Sequence, residues 1–226
     1  MFKCNHNGKC CEDPTTQINL TLGDIQRISK FTGKSALKLY EEGIMGVYPF
    51  GDPFKNDEFE TDIGLYIPCG FRKKDEQLGK VICSIYLARP LNCRIFPFWV
   101  LAEAPMNEVE KFVKEHPCGE CCGVDEDFEE DRILYNEYKE ELVKILSKEV
   151  PMSDSFYETL GLKKKIKTKP SKTQKEDFKI INKLIKKIKK EDFTELFKKI
   201  DEEVKKHKFV LMEDIPDWDI FLREHE

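Results

Sequence analysis

Cys83-Ser84-Ile85-Tyr86-Leu87-Ala88-Arg89-Pro90-Leu91-Asn92-Cys93-Arg94-Ile95-Phe96-Pro97-Phe98 is the stretch on which the reading of this chain turns. It joins two thiols to two guanidinium groups and closes on an aromatic–proline–aromatic run. Arg89 and Arg94 bracket Cys93. Beside a thiolate-ligated centre they would offset negative charge and raise a reduction potential. Otherwise they pair with the carboxylates of an acidic domain, and both readings stand. Pro90, Phe96, Pro97 and Phe98 read as a rigid apolar wall rather than as a substrate contact.

Working outward, nine cysteines fall into three groups. The first is Cys4, Cys10 and Cys11, the second Cys69, Cys83 and Cys93, the third Cys118, Cys121 and Cys122. Thiolates two to five residues apart can converge on one ion when glycine lets the backbone curl. Cys118-Gly119-Glu120-Cys121 is such a knuckle, and the segment from Cys4 to Cys11, with Gly8 inside it, is a looser one. Adjacent side chains diverge on a helix or a strand. Each vicinal pair is therefore expected to give one firm ligand, while its second member reaches elsewhere. Nine thiols suit two four-thiolate sites, or one site with structural or redox thiols to spare. His6 and His116 adjoin cysteine groups and allow a mixed site. All nine cysteines are candidate metal ligands, holding an iron–sulfur cluster or, alternatively, zinc.

The N-terminus, Met1-Phe2-Lys3-Cys4-Asn5-His6, has no apolar signal core, and no apolar run is long enough for a membrane span. A cytoplasmic protein is expected, with no membrane partner. In a reducing compartment clustered cysteines read first as metal ligands or redox thiols and second as disulfides.

The net charge of −5 is uneven. Residues 163–226 hold 19 basic and 14 acidic side chains, a net +5, which leaves −10 on residues 1–162 together with every cysteine. The run Lys163-Lys164-Lys165-Ile166-Lys167-Thr168-Lys169-Pro170-Ser171-Lys172 has the composition of a linker. The fold class is read as α+β, mostly helical with a few short strands. A cysteine-rich, metal-organised N-terminal domain over 1–162 is followed by a helical C-terminal segment over 163–226, a basic hairpin with an acidic, aromatic tail.

Thr21 with Asp24 has capping-box spacing before Ile25, Ile28 and Phe31. Ser35 caps a short helix, Asn107 and Glu110 open another, and residues 131–148 make a longer one that Val150-Pro151 ends. Strands are expected at 63–67, 80–86 and 94–100, the last an edge or extended piece because of Pro97. Gly43, Gly46, Pro49, Gly51 and Pro53 read 43–60 as a loop. In the C-terminal segment, Phe178, Ile181, Leu184, Ile185 and Ile188 form one apolar stripe. Phe193, Leu196, Phe197, Ile200 and Val204 form another. These helices pack on each other or on the first domain, and the tail around Trp218 docks onto the body or a partner.

The central stretch, together with Gly8-Lys9-Cys10-Cys11 and Leu20-Thr21-Leu22-Gly23-Asp24-Ile25-Gln26-Arg27-Ile28, resembles the YkgJ-type cysteine-cluster proteins, a family described as zinc- or iron-chelating. The resemblance covers roughly 4–123 and departs from the family pattern at Asn7, where members often carry a further cysteine. It implies a metal- or cluster-binding module. A related module in flagellin lysine methylases makes protein modification a context, without transferring an activity to this chain.

No Walker loop, GxGxxG, HExxH, GxSxG, radical-SAM cysteine spacing or ferredoxin run occurs. The expected role is thus redox or enzyme-accessory work with an unknown redox or protein partner. The alternative is a zinc-organised binding module with a basic helical surface. Lys186, Lys187, Lys189 and Lys190 could meet nucleic-acid phosphates. Interleaved acids, and the lack of stacking aromatics on that polar side, favour a solvated face instead.

Overall fold

The computed structural model describes residues 8–12, 16–52, 55–76, 79–115, 128–168, 174–218 and 220–221. It is α+β, with 58% of the described residues helical and with short antiparallel strands. Strand β1 (Ile18–Asn19) leads into helix α1 (Leu22–Thr32) and the short α2 (Ala36–Glu41). Strands β2 (Met45–Asp52) and β3 (Lys55–Leu65) form a long antiparallel pair, with Met45 opposite Leu65 and Phe50 opposite Glu60. Strands β4 (Arg72–Asp75) and β5 (Lys80–Cys83) make a separate hairpin. Then follow α3 (Leu91–Ile95), α4 (Phe98–Glu103), α5 (Met106–Glu115), α6 (Phe128–Thr159), β6 (Lys165–Lys167), α7 (Gln174–Ile188) and α8 (Thr194–Lys206).

Local chemistry sets several of these boundaries. Thr21 caps α1 in a reciprocal box with Asp24, and Gly33, at φ 68°, closes it in the left-handed conformation. Ser35 caps α2 as its position predicts, and the first two amides of that helix, Ala36 and Leu37, also donate to Asp201 of α8, at 2.7 and 3.1 Å. A carboxylate there satisfies orphan donors and meets the positive end of the helix.

Within the segment 43–60, expected as a loop, Met45–Asp52 forms β2 and the chain from Lys55 starts β3. Among the described residues β2 pairs with β3 alone, so Pro49 sits on an edge strand, where a proline is tolerated. Gly46 leaves its place to the Tyr66 ring, which a Cβ would strike. The strand expected at 94–100 is instead two short helices broken at the cis Phe96-Pro97 bond. Leu91, Ile95, Phe98 and Leu101 are all buried, a spacing of four, three and three that belongs to a helix period and not to alternation. The strand expected at 80–86 stops at Cys83, where the chain turns into a 3-10 piece at Tyr86–Ala88. Helix α6 runs through Pro151. Its flanks are fixed from outside: Glu149 by Arg27, Ser153 by the Leu22 amide, and Tyr157 by the Leu20 carbonyl. Together these outweigh the one ladder bond a proline deletes.

Two large apolar cores form among the described residues, beside a smaller cluster of Tyr48, Phe59 and Ile181. The first takes Leu22, Ile25 and Ile28 of α1, Leu39, Met45, Ile63, Tyr157 and, from beyond residue 162, Ile188, Phe197, Ile200 and Val204. The second gathers Leu91, Ile95, Phe98, Leu101, Tyr135, Tyr138 and Leu142 with Ile215, Trp218 and Phe221 of the tail. Both draw on residues from either side of the charge boundary at 162/163. α8 packs chiefly on α1 and α2, and α7 on β2, so these helices dock onto the rest of the chain more than onto each other. Phe31, read as part of the α1 apolar face, is exposed. Lys163 to Lys167, read as linker, holds β6, which pairs with β3. Among the described residues, no helix is long and apolar enough to cross a membrane.

Candidate metal centre

Cys10 and Cys11 sit in a 3-10 turn at Lys9–Cys11. Gly8, at φ 71°, opens the turn by accepting the Cys11 amide at 3.0 Å. The turn is tied to the β4–β5 hairpin, because the Cys11 carbonyl accepts the Cys69 amide at 2.9 Å. Cys69 precedes β4, and Cys83 ends β5 opposite Arg72. The hairpin is closed beyond its ladder by Ser84, whose amide and hydroxyl both donate to the Phe71 carbonyl at 2.8 Å. Cys93 rides on α3, its amide held by the Pro90 carbonyl.

The Cys11, Cys69, Cys83 and Cys93 thiols are each raised above their ordinary range. Burial is the first cause for Cys69, pushed up to about 11, and the neighbouring Cys83 and Cys10 add to it. Burial also leads for Cys93, followed by the charges of Cys69, Cys83 and Cys10. For Cys11 the leading cause is its hydrogen bond with Cys10, the two sulfurs standing 3.9 Å apart. Cys83 is raised by burial too. The mutual repulsion shows that Cys10, Cys11, Cys69, Cys83 and Cys93 share one neighbourhood. Cys11, Cys69, Cys83 and Cys93 are free thiols.

Opposing features favour thiolates. The backbone N–H groups of Phe71 and Arg72 act on the Cys69 sulfur, and that of Ile85 on the Cys83 sulfur. Amides two or three residues past a cysteine, aimed back at it, stabilise the charged form. The Arg89 guanidinium pulls both Cys83 and Cys93 the same way. Among the described residues, no three Cys, His, Asp or Glu side chains already close on a single point at ligating distance. Cys10, Cys11, Cys69, Cys83 and Cys93 are the thiols among the described residues that could supply a zinc or iron donor set, since thiols surrender their protons to such a cation. Cys4, Cys118, Cys121, Cys122, His6 and His116 lie outside the described residues.

The two arginines flanking Cys93 part company. Arg89 lies over the Tyr86 ring at 4.0 Å and 3.7 Å from Asp217 Oδ2. Arg94 is buried, donates to the carbonyls of Leu87 and Pro216, and stands 3.9 Å from Asp217. Arg89 thus adjoins the thiols, whereas Arg94 fastens the C-terminal tail. Asp217 joins the site from a distant part of the chain, within reach of both arginines. Only its place in an acidic, aromatic tail hinted at docking.

Fold and gathered thiols define a cysteine-rich α+β domain of metal-chelating type. The chain belongs to the YkgJ-type family, whose model CxxCxxCC, described as a "Putative zinc- or iron-chelating domain", matches residues 3–117. The match ends one residue before Cys118. No solved structure matches the chain.

Proposed function

We propose that the thiol centre holds an iron–sulfur cluster and that the chain serves as a redox carrier or as an accessory to an enzyme. The observation that carries this reading is the number of thiols in one neighbourhood. Five cysteines from three separate parts of the chain meet there, so a four-thiolate set leaves a spare, redox-capable thiol beside the ligands. Amides on the sulfurs and Arg89 beside them are the groups that raise a cluster's potential. With Cys11, Cys69, Cys83 and Cys93 as free thiols, the proposed location is the cytoplasm, where thiols stay reduced, and the proposed partner is a redox or client protein.

Zinc is the second reading, favoured by the turns at Cys69 and Cys83, whose amides back the sulfur as in a closed structural site. The chain would then be a binding module with α7 and α8 as its surface. Lys189, one of the lysines that could meet phosphate, instead lies over the Tyr66 ring at 4.0 Å, which argues against a nucleic-acid partner.

Iron, zinc and acid-labile sulfide are to be measured, with a visible spectrum, on protein purified without oxygen. Iron with sulfide and a brown colour is the expected result. Stoichiometric zinc without sulfide would overturn the redox reading and leave the structural one.

A further inference from the structure

The helix opening Thr21-Leu22-Gly23-Asp24-Ile25-Gln26-Arg27 is over-equipped for capping. Asp24 is 1% exposed and uses both oxygens. Its Oδ2 accepts the Thr21 amide at 3.1 Å, which completes the capping box. Its Oδ1 accepts from Arg27 at 2.8 Å and also from the Leu91 amide at 3.0 Å, 67 residues away. Leu91 is the first residue of α3, the five-residue helix that carries Cys93. Pro90 before it has no amide, and its carbonyl accepts the amides of Cys93 and Arg94, so the Asp24 bond is the N-terminal anchor of that turn.

The carboxylate is fixed in its turn. Arg27 spans Asp24 and Glu149, donating to the two Glu149 oxygens at 2.7 and 2.8 Å. Glu149 belongs to α6 and also accepts from the Thr21 hydroxyl at 2.7 Å. A second tether joins the same two regions: the Asn92 side chain donates to Asn19, just before α1. Beyond its capping bond, Asp24 thus has two partners with different duties. Arg27 and Glu149 lock its orientation, and the Leu91 amide receives the result.

We infer that Asp24 is a positioning residue for the metal centre, holding the Cys93 turn in register with Cys69 and Cys83 through the Leu91 amide. The inference rests on the chelation reading of the thiols and holds for zinc or iron alike. Groups that orient a ligand from behind it typically govern affinity by roughly ten- to a hundred-fold.

The test is a competition titration of the full chain with Co(II) and then Zn(II) against a chromogenic chelator, alongside urea unfolding. Asp24→Ala should weaken binding roughly ten-fold or more. Asp24→Asn keeps an oxygen for Leu91 and Arg27 but presents an amide to Thr21. It should lose stability while holding affinity within about three-fold, short of the ten-fold that a lost anchor brings. Glu149→Gln weakens the lock on Asp24 but keeps the Asp24–Leu91 bond, so it should destabilise the fold and weaken affinity by less than about three-fold, well short of Asp24→Ala. Should Asp24→Ala fail to fold, Asp24→Glu, which keeps the charge but displaces the oxygen from the Leu91 amide, must still bind more weakly than Glu149→Gln. Wild-type affinity in folded Asp24→Ala, or in Asp24→Glu where that stands in, overturns the inference. So does an equal loss in Glu149→Gln, since the network would then be structural only. A wild type that takes up neither ion overturns the chelation reading instead, and the positioning role with it.

Discussion

Lys163 adopts φ 61°, a left-handed conformation that side chains with a Cβ avoid at a cost of roughly 1–2 kcal/mol. Three carboxylates hold it there: Asp62 and Asp154 at 2.7 Å and Glu60 at 3.5 Å. Burial opposes the lysine charge, yet Asp62 and Asp154 hold it above its usual range. Asp62 is pushed up to about 6, chiefly by burial, with Lys163 pulling it down. A carboxyl raised on folding binds its proton more tightly in the native state. Its contribution to stability therefore grows as pH falls through about 6 and is complete below its unfolded value near 3.8. This runs opposite to the usual carboxylate. A carboxyl-carbon NMR titration should place the Asp62 midpoint near 6, and Lys163→Met should move it higher. That variant should lose about 3 kcal/mol at pH 7, the low end for a broken buried pair. The deficit should shrink below pH 6 as Asp62 takes a proton and no longer needs a counter-charge. An Asp62 midpoint in the ordinary carboxylate range would refute the account.

At the scale of elements, the Cys10–Cys11 turn is set by Gly8, which combines a positive φ with a lack of room. A Cβ there would lie 2.5 Å from Val81 Cγ1 of β5. Gly8→Ala should destabilise by about 1–2 kcal/mol from the backbone alone, plus a steric part, and should lower metal content by shifting the turn. Adding Val81→Ala should recover the steric part only. Complete recovery in a double-mutant cycle would mean that the backbone conformation carries no weight. The same turn shows what the sequence made legible. Gly8 beside a vicinal pair, the Thr21–Asp24 box, the Ser35 cap and the apolar stripes of α7 and α8 are local signals, and the structure carries each of them. Strand β2 is hidden because glycine and proline mark loops unless one knows that it lies at the edge of the sheet. The helices around Phe96-Pro97 were hidden because aromatic and β-branched residues also suit strands, and only the burial of Leu91, Ile95, Phe98 and Leu101 exposes the helical period. Within the site, the cysteines were visible as a set. The split between Arg89 and Arg94, and the arrival of Asp217, depend on contacts more than a hundred residues apart in sequence, which no local pattern encodes.

On the scale of the molecule, the thiol centre lies where the two cores meet. Cys69, Cys83 and Cys93 pack against the first core, while Leu91 and Ile95, on either side of Cys93, belong to the second. Among the described residues, α6 spans the same divide, with Tyr157 in the first core and Tyr135, Tyr138 and Leu142 in the second. The tail closes the second core through Trp218 and Phe221, and its Asp217 reaches Arg89 beside the thiols. An ion bound to Cys93 together with Cys69 and Cys83 would therefore cross-link the cores, and its binding free energy would become folding free energy. At a free-ion level about a hundred times the dissociation constant, this contributes about 2.7 kcal/mol. A chain of this length shifts by roughly 2–4 °C for each kcal/mol. Stripping the metal with a chelator should therefore lower the melting temperature by roughly 5–10 °C. It should also split one calorimetric transition into two, the second core and the tail going first. Trp218, buried against Phe98, Tyr135 and Tyr138, reports that step by fluorescence. If the stripped and loaded chains melt at the same temperature with Trp218 moving in one common transition, the centre does not join the cores, and Cys93 is not a ligand shared with the hairpin.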